Sequence, residues 1–154
     1  MTDTPHLGRF EGREHRLPVR VYYEDTDFTG VVYHAGYLRF LERGRTEFLR
    51  TAGIGHAELL VGEAPLAFVV ARMEIDFVKP ALIDDALTVS TTYETIKGPR
   101  IFISQAVQRA GEVLTKALVT IACIGLDRRP KKPPRFLIDR LSPYLALRTT
   151  SMPP

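Results

Sequence analysis

Apolar positions along the chain fall into two rhythms. In the run YHAGYLRFLERGRTEFLR, Tyr37, Leu41, Gly44 and Phe48 recur at helical spacing, which predicts one long helix starting near His34 and ended by Gly53 and Gly55. From Leu66 the period changes to two: Val69, Ala71, Met73, Ile75 and Phe77 alternate with Val70, Arg72, Glu74 and Asp76 until Lys79-Pro80. Three further strands are predicted at Leu87 to Ile96, Ile101 to Ala110 and Glu112 to Ile124. The turn signals KGPR and AG join them as antiparallel neighbours. Val19 to Tyr23 reads as a short strand. Residues 1–17 show no periodicity and read as a mobile arm, and Phe136 to Leu147 reads as a short helix or docked tail.

One strand, a long helix and then a run of strands is an α+β order, with the helix lying on an antiparallel sheet. It excludes a doubly wound sheet. A single helix covers only part of one face, and strands this long need edge protection, so a homo-oligomer is expected.

Composition narrows the class without changing the fold. The chain has 154 residues, 45% hydrophobic and 25% charged, with a formal net charge of +3, as expected of one globular domain. A lone Cys123 cannot form an internal disulfide or a cysteine-based zinc site, and it falls in a strand without a His neighbour, so it reads as core. No apolar run is long enough to span a membrane, and the opening lacks a signal-peptide apolar segment. A cytoplasmic location is therefore expected. His6, His15 and His56 show no metal-ligand spacing, so no metal and no cofactor are implied. The basic positions lack the interleaved aromatics of a nucleic-acid surface.

The densest titratable cluster is YYEDTDFTGVVYH, directly before the long helix. The first turn of a helix presents free amides and about half a positive charge. Val31, Val32 and Tyr33 cannot cap those amides; Thr29 and Gly30 could if the helix began early. A carboxylate beside free amides is what acyl transfer requires: a donor for the carbonyl oxygen, and a nucleophile or base opposite. The plainer alternative, that Asp25 and Asp27 are turn and capping residues, stays open on spacing alone.

The stretch YYEDTDFTGVVYHAGYLRFLERGRTEFLR resembles the signature of the 4-hydroxybenzoyl-CoA thioesterase branch of the hotdog fold, and is most similar to its Tol-Pal-associated acyl-CoA thioesterase subgroup. Similarity continues through IDFVKPALIDDALTV, GEVLTKALVTIACI and RRPKKPP, over roughly residues 18–135. The resemblance implies a five-stranded antiparallel sheet around one long helix, with active sites at a dimer interface. It implies hydrolysis of an acyl-CoA thioester, with Asp27 as nucleophile or general base and the backbone amide of His34 as oxyanion donor. The imidazole of His34 would position water, Tyr33 would shape the acyl pocket, and Asp25 would hold the loop. Lys97 and Arg100, flanking Gly98-Pro99, match the turn that meets the CoA phosphates. Arg128 opens a second basic run that continues through Arg129, Lys131, Lys132 and Arg135. Glu42 matches an acidic position of the family helix and reads as a structural ion pair. Phe28-Thr29 departs from a usual Ala-Gly pair, and Gly44 from a helix alanine.

The expected partners are thus an acyl-CoA substrate and further copies of the chain, as a homodimer or homotetramer, with no nucleic acid and no transmembrane segment. Two rival readings are a non-catalytic acyl-CoA or acyl-carrier binding module and a hotdog hydratase or dehydratase. The latter chemistry commonly uses a His with an acidic partner, which the D-x-D arrangement fits poorly.

Overall fold

The computed structural model describes residues 3–146. Six strands form one antiparallel sheet in the order β1-β2-β4-β5-β6-β3: β1 Arg9–Glu11, β2 Glu14–Arg20, β3 Leu66–Phe77, β4 Ala86–Lys97, β5 Arg100–Arg109 and β6 Glu112–Gly125. Helix α1, His34–Thr51, lies across β2, β4 and β5; α2, His56–Val61, follows it, and α3, Arg135–Leu141, leads into a last 3-10 turn at Ser142–Tyr144. The α+β expectation stands, with six strands where five were expected and with two short helices besides the long one.

Residues 9–20 account for the extra strand. Residues 9–17, read as part of an arm, and the start of the strand expected at Val19 to Tyr23 instead form a hairpin that ends at Arg20, because His15 and Leu17 point inward from β2 and Phe10 packs edge-on against Phe48, 4.9 Å between centroids, and stacks on Tyr144 at 4.3 Å. Pro18 does not interrupt β2, since β1 covers it only as far as Arg16 and Pro18 lies on the uncovered stretch. At the other end Leu137, Leu141 and Leu145 are buried in the core, so residues 135–145 are part of the packed domain. Leu147, the end of the expected C-terminal helix, lies outside the described residues.

The α1 face predicted from spacing is the buried one, and Gly44 is its closest approach to the sheet. A Cβ built there would stand 2.7 Å from Val89 Cγ1 and 2.8 Å from Thr91 Oγ1. The glycine therefore lets the helix settle onto β4. Beside it a polar clamp crosses the layer: Gln105 Nε2 donates to the Leu41 carbonyl at 2.8 Å and to Thr91 Oγ1 at 2.9 Å, and Arg45 donates to Gln105 Oε1 at 3.0 Å. Burial pulls the Arg45 guanidinium below its ordinary pKa.

β3 is the long exposed edge of the sheet, with Val70 and Phe77 each about half exposed. Its Leu66 end pairs with Gly125 and its Phe77 end with Thr115.

Helix propensity alone favours alanine over glycine by about 1 kcal/mol, but the clash at Gly44 outweighs it. Gly44→Ala is expected to destabilise the protein by about 1–3 kcal/mol, the usual overpacking range, read from urea unfolding midpoints; a stabilised variant would refute the close-approach argument.

Candidate active site

The acidic loop before α1 is a small hairpin. After a 3-10 turn at Tyr23–Asp25, Thr26 bridges Val32 in antiparallel fashion, the Asp27 amide donates to the Val31 carbonyl at 3.0 Å, and the Tyr33 amide donates to the Asp25 carbonyl at 3.0 Å. Gly30 supplies the left-handed conformation, φ 86°, at the tip. The register thus sets Asp25 opposite Tyr33 and Asp27 opposite Val31, three residues before the helix begins.

The loop is tied down from below. Val32 donates to the Ala81 carbonyl at 2.9 Å, Ile83 to the Gly30 carbonyl at 3.0 Å, and Ala81 to the Tyr37 hydroxyl at 2.9 Å. Asp85 holds that lower segment through an Arg109 ion pair at 2.8 Å and a bond from the Leu82 amide at 2.9 Å.

The two aspartates have different work. Asp25 is buried, and its carboxylate accepts from the Tyr22 amide at 2.8 Å, so it holds the loop. Asp27 is partly exposed, and its Oδ1 accepts from both the hydroxyl and the amide of Thr29, at 2.5 and 2.8 Å. The Thr29 hydroxyl first, then its amide, hold the Asp27 carboxyl below the ordinary carboxylate range. This is also an Asx-type turn, so the structural and chemical readings of Asp27 coincide in one geometry.

At the start of α1 no side chain caps the helix, and its first turn holds no acidic residue. His34 is the first helical residue, and its exposed ring lies 4.4 Å from Tyr33 and 6.4 Å from Phe77, centroid to centroid. Phe28 stands fully exposed at the loop tip, with Tyr33 half exposed. The result is an ionised carboxylate and a free helix terminus under an apolar rim.

Asp27, Tyr33 and His34 therefore share one small hairpin and the helix start it leads into. Lys97, Arg100 and Arg128 form a second group at the far end of the sheet. Lys97 and Arg100 pair across the tight turn at Gly98, φ 58°; Pro99 accepts from the Cys123 amide at 2.7 Å; and the Lys131 amide donates back to the Cys123 carbonyl at 2.9 Å. Arg128, at φ 67°, lies in the turn that closes Gly125 onto Arg129. Arg100 stands level with Val69 of β3 and the Arg128 turn with Leu66, whereas His34 borders Phe77, so about 26 to 36 Å of strand at 3.3 Å per residue separates the two groups within one chain. Asp27 itself lines none of three cavities among the described residues, one of which is bordered by its neighbours Glu24 and Asp25.

Three other residues can be placed. Cys123 is buried, and burial pushes its thiol up to about 12, consistent with a core role. Glu42 makes no ion pair among the described residues; the Thr46 hydroxyl donates to it at 2.7 Å, which corrects the expected salt bridge. Thr29 reads from the sequence as a departure or as an early helix cap, although the Asp-x-Thr spacing is the signal of its bond to Asp27. No group of three potential metal ligands occurs among the described residues.

Comparison with known proteins shows the family. The profile of the thioesterase-like superfamily matches residues 21–154. The acyl-CoA thioesterase YbgC of Haemophilus influenzae is 49% identical over 112 residues, covering 73% of this chain and 82% of that protein. The acyl-CoA thioester hydrolase YbgC of Escherichia coli O6:H1 is 38% identical over 125 residues, covering 80% and 92%. Among solved structures, a probable thioesterase from Bartonella henselae superposes with a TM-score of 0.76 at 45% identity, covering 79% of this chain and 99% of that one.

Removing the Thr29 hydroxyl tests the electrostatics. In Thr29→Val the Asp27 carboxyl is expected to titrate at higher pH, toward the ordinary carboxylate range, by carbon-detected NMR of the side chain. Because the native value is depressed, any stability tied to this bond is present above the unfolded-state pKa and disappears as pH falls through the folded one, so the variant should lose stability at neutral and alkaline pH and match the wild type in acid below the native Asp27 titration.

Proposed function

This chain belongs to the thioesterase-like superfamily, and from that premise we propose how it carries out its reaction. It is an acyl-CoA thioesterase, hydrolysing an acyl-CoA thioester to the free acid and CoA. The observation that carries the catalytic assignment is the ionised Asp27 carboxylate, held by Thr29 on a loop folded back along the uncapped start of α1.

In this reading the His34 amide donates to the thioester carbonyl oxygen and stabilises the charge that develops there. Asp27 then attacks the carbonyl carbon, the C–S bond breaks, and CoA leaves as the thiolate. Water opens the resulting mixed anhydride and regenerates the carboxylate. Nucleophilic attack is favoured over general-base action because a carboxylate below its ordinary pKa is a weak proton acceptor but is ionised throughout the neutral range. The His34 imidazole, exposed beside Tyr33 and Phe77, positions the water, and Tyr33 shapes the entrance for the acyl group.

We further propose a dimer built on β3. Its 12-residue edge is unpaired, and Val69, Val70 and Phe77 are exposed along it. Antiparallel pairing of two such edges about a two-fold axis sets the Leu66 end of one chain against the Phe77 end of the other. Lys97, Arg100 and Arg128 would then lie near Asp27 of the partner subunit, where they would meet the phosphates of CoA. A tetramer would join two such dimers. The signature in residues 22–50 supports a place in the Tol-Pal-associated subgroup of the 4-hydroxybenzoyl-CoA thioesterase branch. The free, buried Cys123 supports a reducing, cytoplasmic setting. Among the described residues no helix is long and apolar enough to cross a membrane.

Asp27→Asn should lower thiol release from acyl-CoA by at least roughly a thousandfold, the order seen when a catalytic unit loses its nucleophile, with unchanged circular dichroism. Binding of CoA without turnover by the wild type would instead establish a binding module. The two-chain site has its own test: mixing Asp27→Asn chains with Lys97→Ala/Arg100→Ala chains should restore part of the activity that each lacks alone, through the one intact site in each mixed dimer. Failure to complement, with mixed dimers demonstrated by mass spectrometry, would confine the site to one chain.

A further inference from the structure

One cavity takes no part in the chemistry above. About 140 Å³ in volume, it lies between α1, α2 and the sheet, walled by Leu49, Phe68, Val70, Ile101 and Ile121. Polar side chains also border it, but they satisfy one another. Thr46 gives its hydroxyl proton to Glu42 at 2.7 Å, so His56 Nε2, 3.3 Å from the same oxygen, is the donor to it. Arg45 donates to Gln105, and the Tyr93 hydroxyl donates to the Arg45 carbonyl. Burial lowers the His56 pKa, which keeps that ring neutral. The surface left to a guest is mainly carbon.

A seam leads to this cavity from the start of α1. The helix and β3 run side by side in opposite directions: Tyr37 lies 5.6 Å from Phe77 between ring centroids, Leu38 and Met73 line a shallower groove further along, and His56 lies 5.5 Å from Phe68 at the far end. Glu42, Arg45 and Val70 border both the groove and the cavity, so the two are continuous.

We infer that this cavity seats the far end of a long, unsubstituted acyl chain whose thioester lies at the start of α1, an inference that rests on the thioesterase reading. Length decides the class. Eight residues separate His34 from Glu42, about 12 Å at 1.5 Å per residue. An extended hydrocarbon advances ~1.3 Å per carbon, given C–C bonds near 1.5 Å, so about nine carbons reach the mouth. A cavity of roughly 150 Å³ holds a benzene, so this one takes about six carbons more. The acyl group that fills groove and cavity is on the order of 15 carbons long by the same spacing. A short acyl group or a single aromatic ring ends in the groove.

The test is a thiol-release series over saturated acyl-CoAs from acetyl to octadecanoyl, with the wild type, Val70→Phe and Phe68→Ala. Wild-type kcat/KM should peak near tetradecanoyl to hexadecanoyl. Val70→Phe, which fills the shared lip, should lower the hexadecanoyl-to-hexanoyl ratio of kcat/KM at least tenfold, and Phe68→Ala, which enlarges the cavity, should shift the peak to longer chains. A wild-type peak at short or aromatic acyl groups, or ratios that neither variant moves, would overturn the inference while leaving the thioesterase intact. Absence of thiol release from every acyl-CoA would mark failure of the thioesterase reading itself.

Discussion

The closeness of α1 to the sheet at Gly44 governs everything else in the molecule. With Val89 and Thr91 under 3 Å from where a side chain would begin, the helix lies on β4 at backbone distance. The Gln105 clamp to Leu41 and Thr91 then fixes its position along the sheet. Buried polar networks are costly when incomplete and rigid when complete. This one joins helix and strands, so the start of the helix, three turns from Gly44, is set by the core. The seam between α1 and β3 follows from the same placement.

A second constraint acts on the loop before the helix. Three carboxylates in four residues would repel one another in a compact turn, and the fold separates their roles. Asp25 faces inward to the Tyr22 amide, and Asp27 faces outward to Thr29. The outward group keeps its charge because its neighbours donate hydrogen bonds to it, and the helix start stays uncapped because Val31, Val32 and Tyr33 offer no side-chain acceptor. Thr29, where the family more often has a small residue, reads as an additional hold on the carboxylate.

Much of this was legible in the sequence, for identifiable reasons. The α1 register showed in Tyr37, Leu41, Gly44 and Phe48 because a one-sided helix repeats every three to four residues. The four long strands showed through alternation and two tight turns. The N-terminal hairpin did not, because its inward positions include His15, its neighbours are charged, and Pro18 argues against a strand unless the sheet edge is known. Glu42 looked like an ion-pair member since Arg39 and Arg45 each lie three residues from it along the helix, yet a hydroxyl four residues on satisfies it. The distance between Asp27 and the basic turns was invisible, because residues far apart in sequence acquire a separation only once β3 is paired with β6.

That distance bears on why the carboxylate lies open on the single chain. A catalytic carboxylate works best away from bulk water, where its charge and the helix terminus act through a lower dielectric. In the proposed dimer the second chain supplies that exclusion, and the apolar rim of Phe28, Tyr33 and Phe77 is the surface it would cover. Covering Asp27 raises its pKa by desolvation, whereas the two bonds from Thr29 act in the opposite direction. A group that begins below the ordinary range can absorb part of that rise and still be ionised at neutral pH. The Thr29 contacts thus make sense together with an interface: on an exposed loop they would be superfluous for keeping the charge, and beneath a partner they are what preserves the nucleophile.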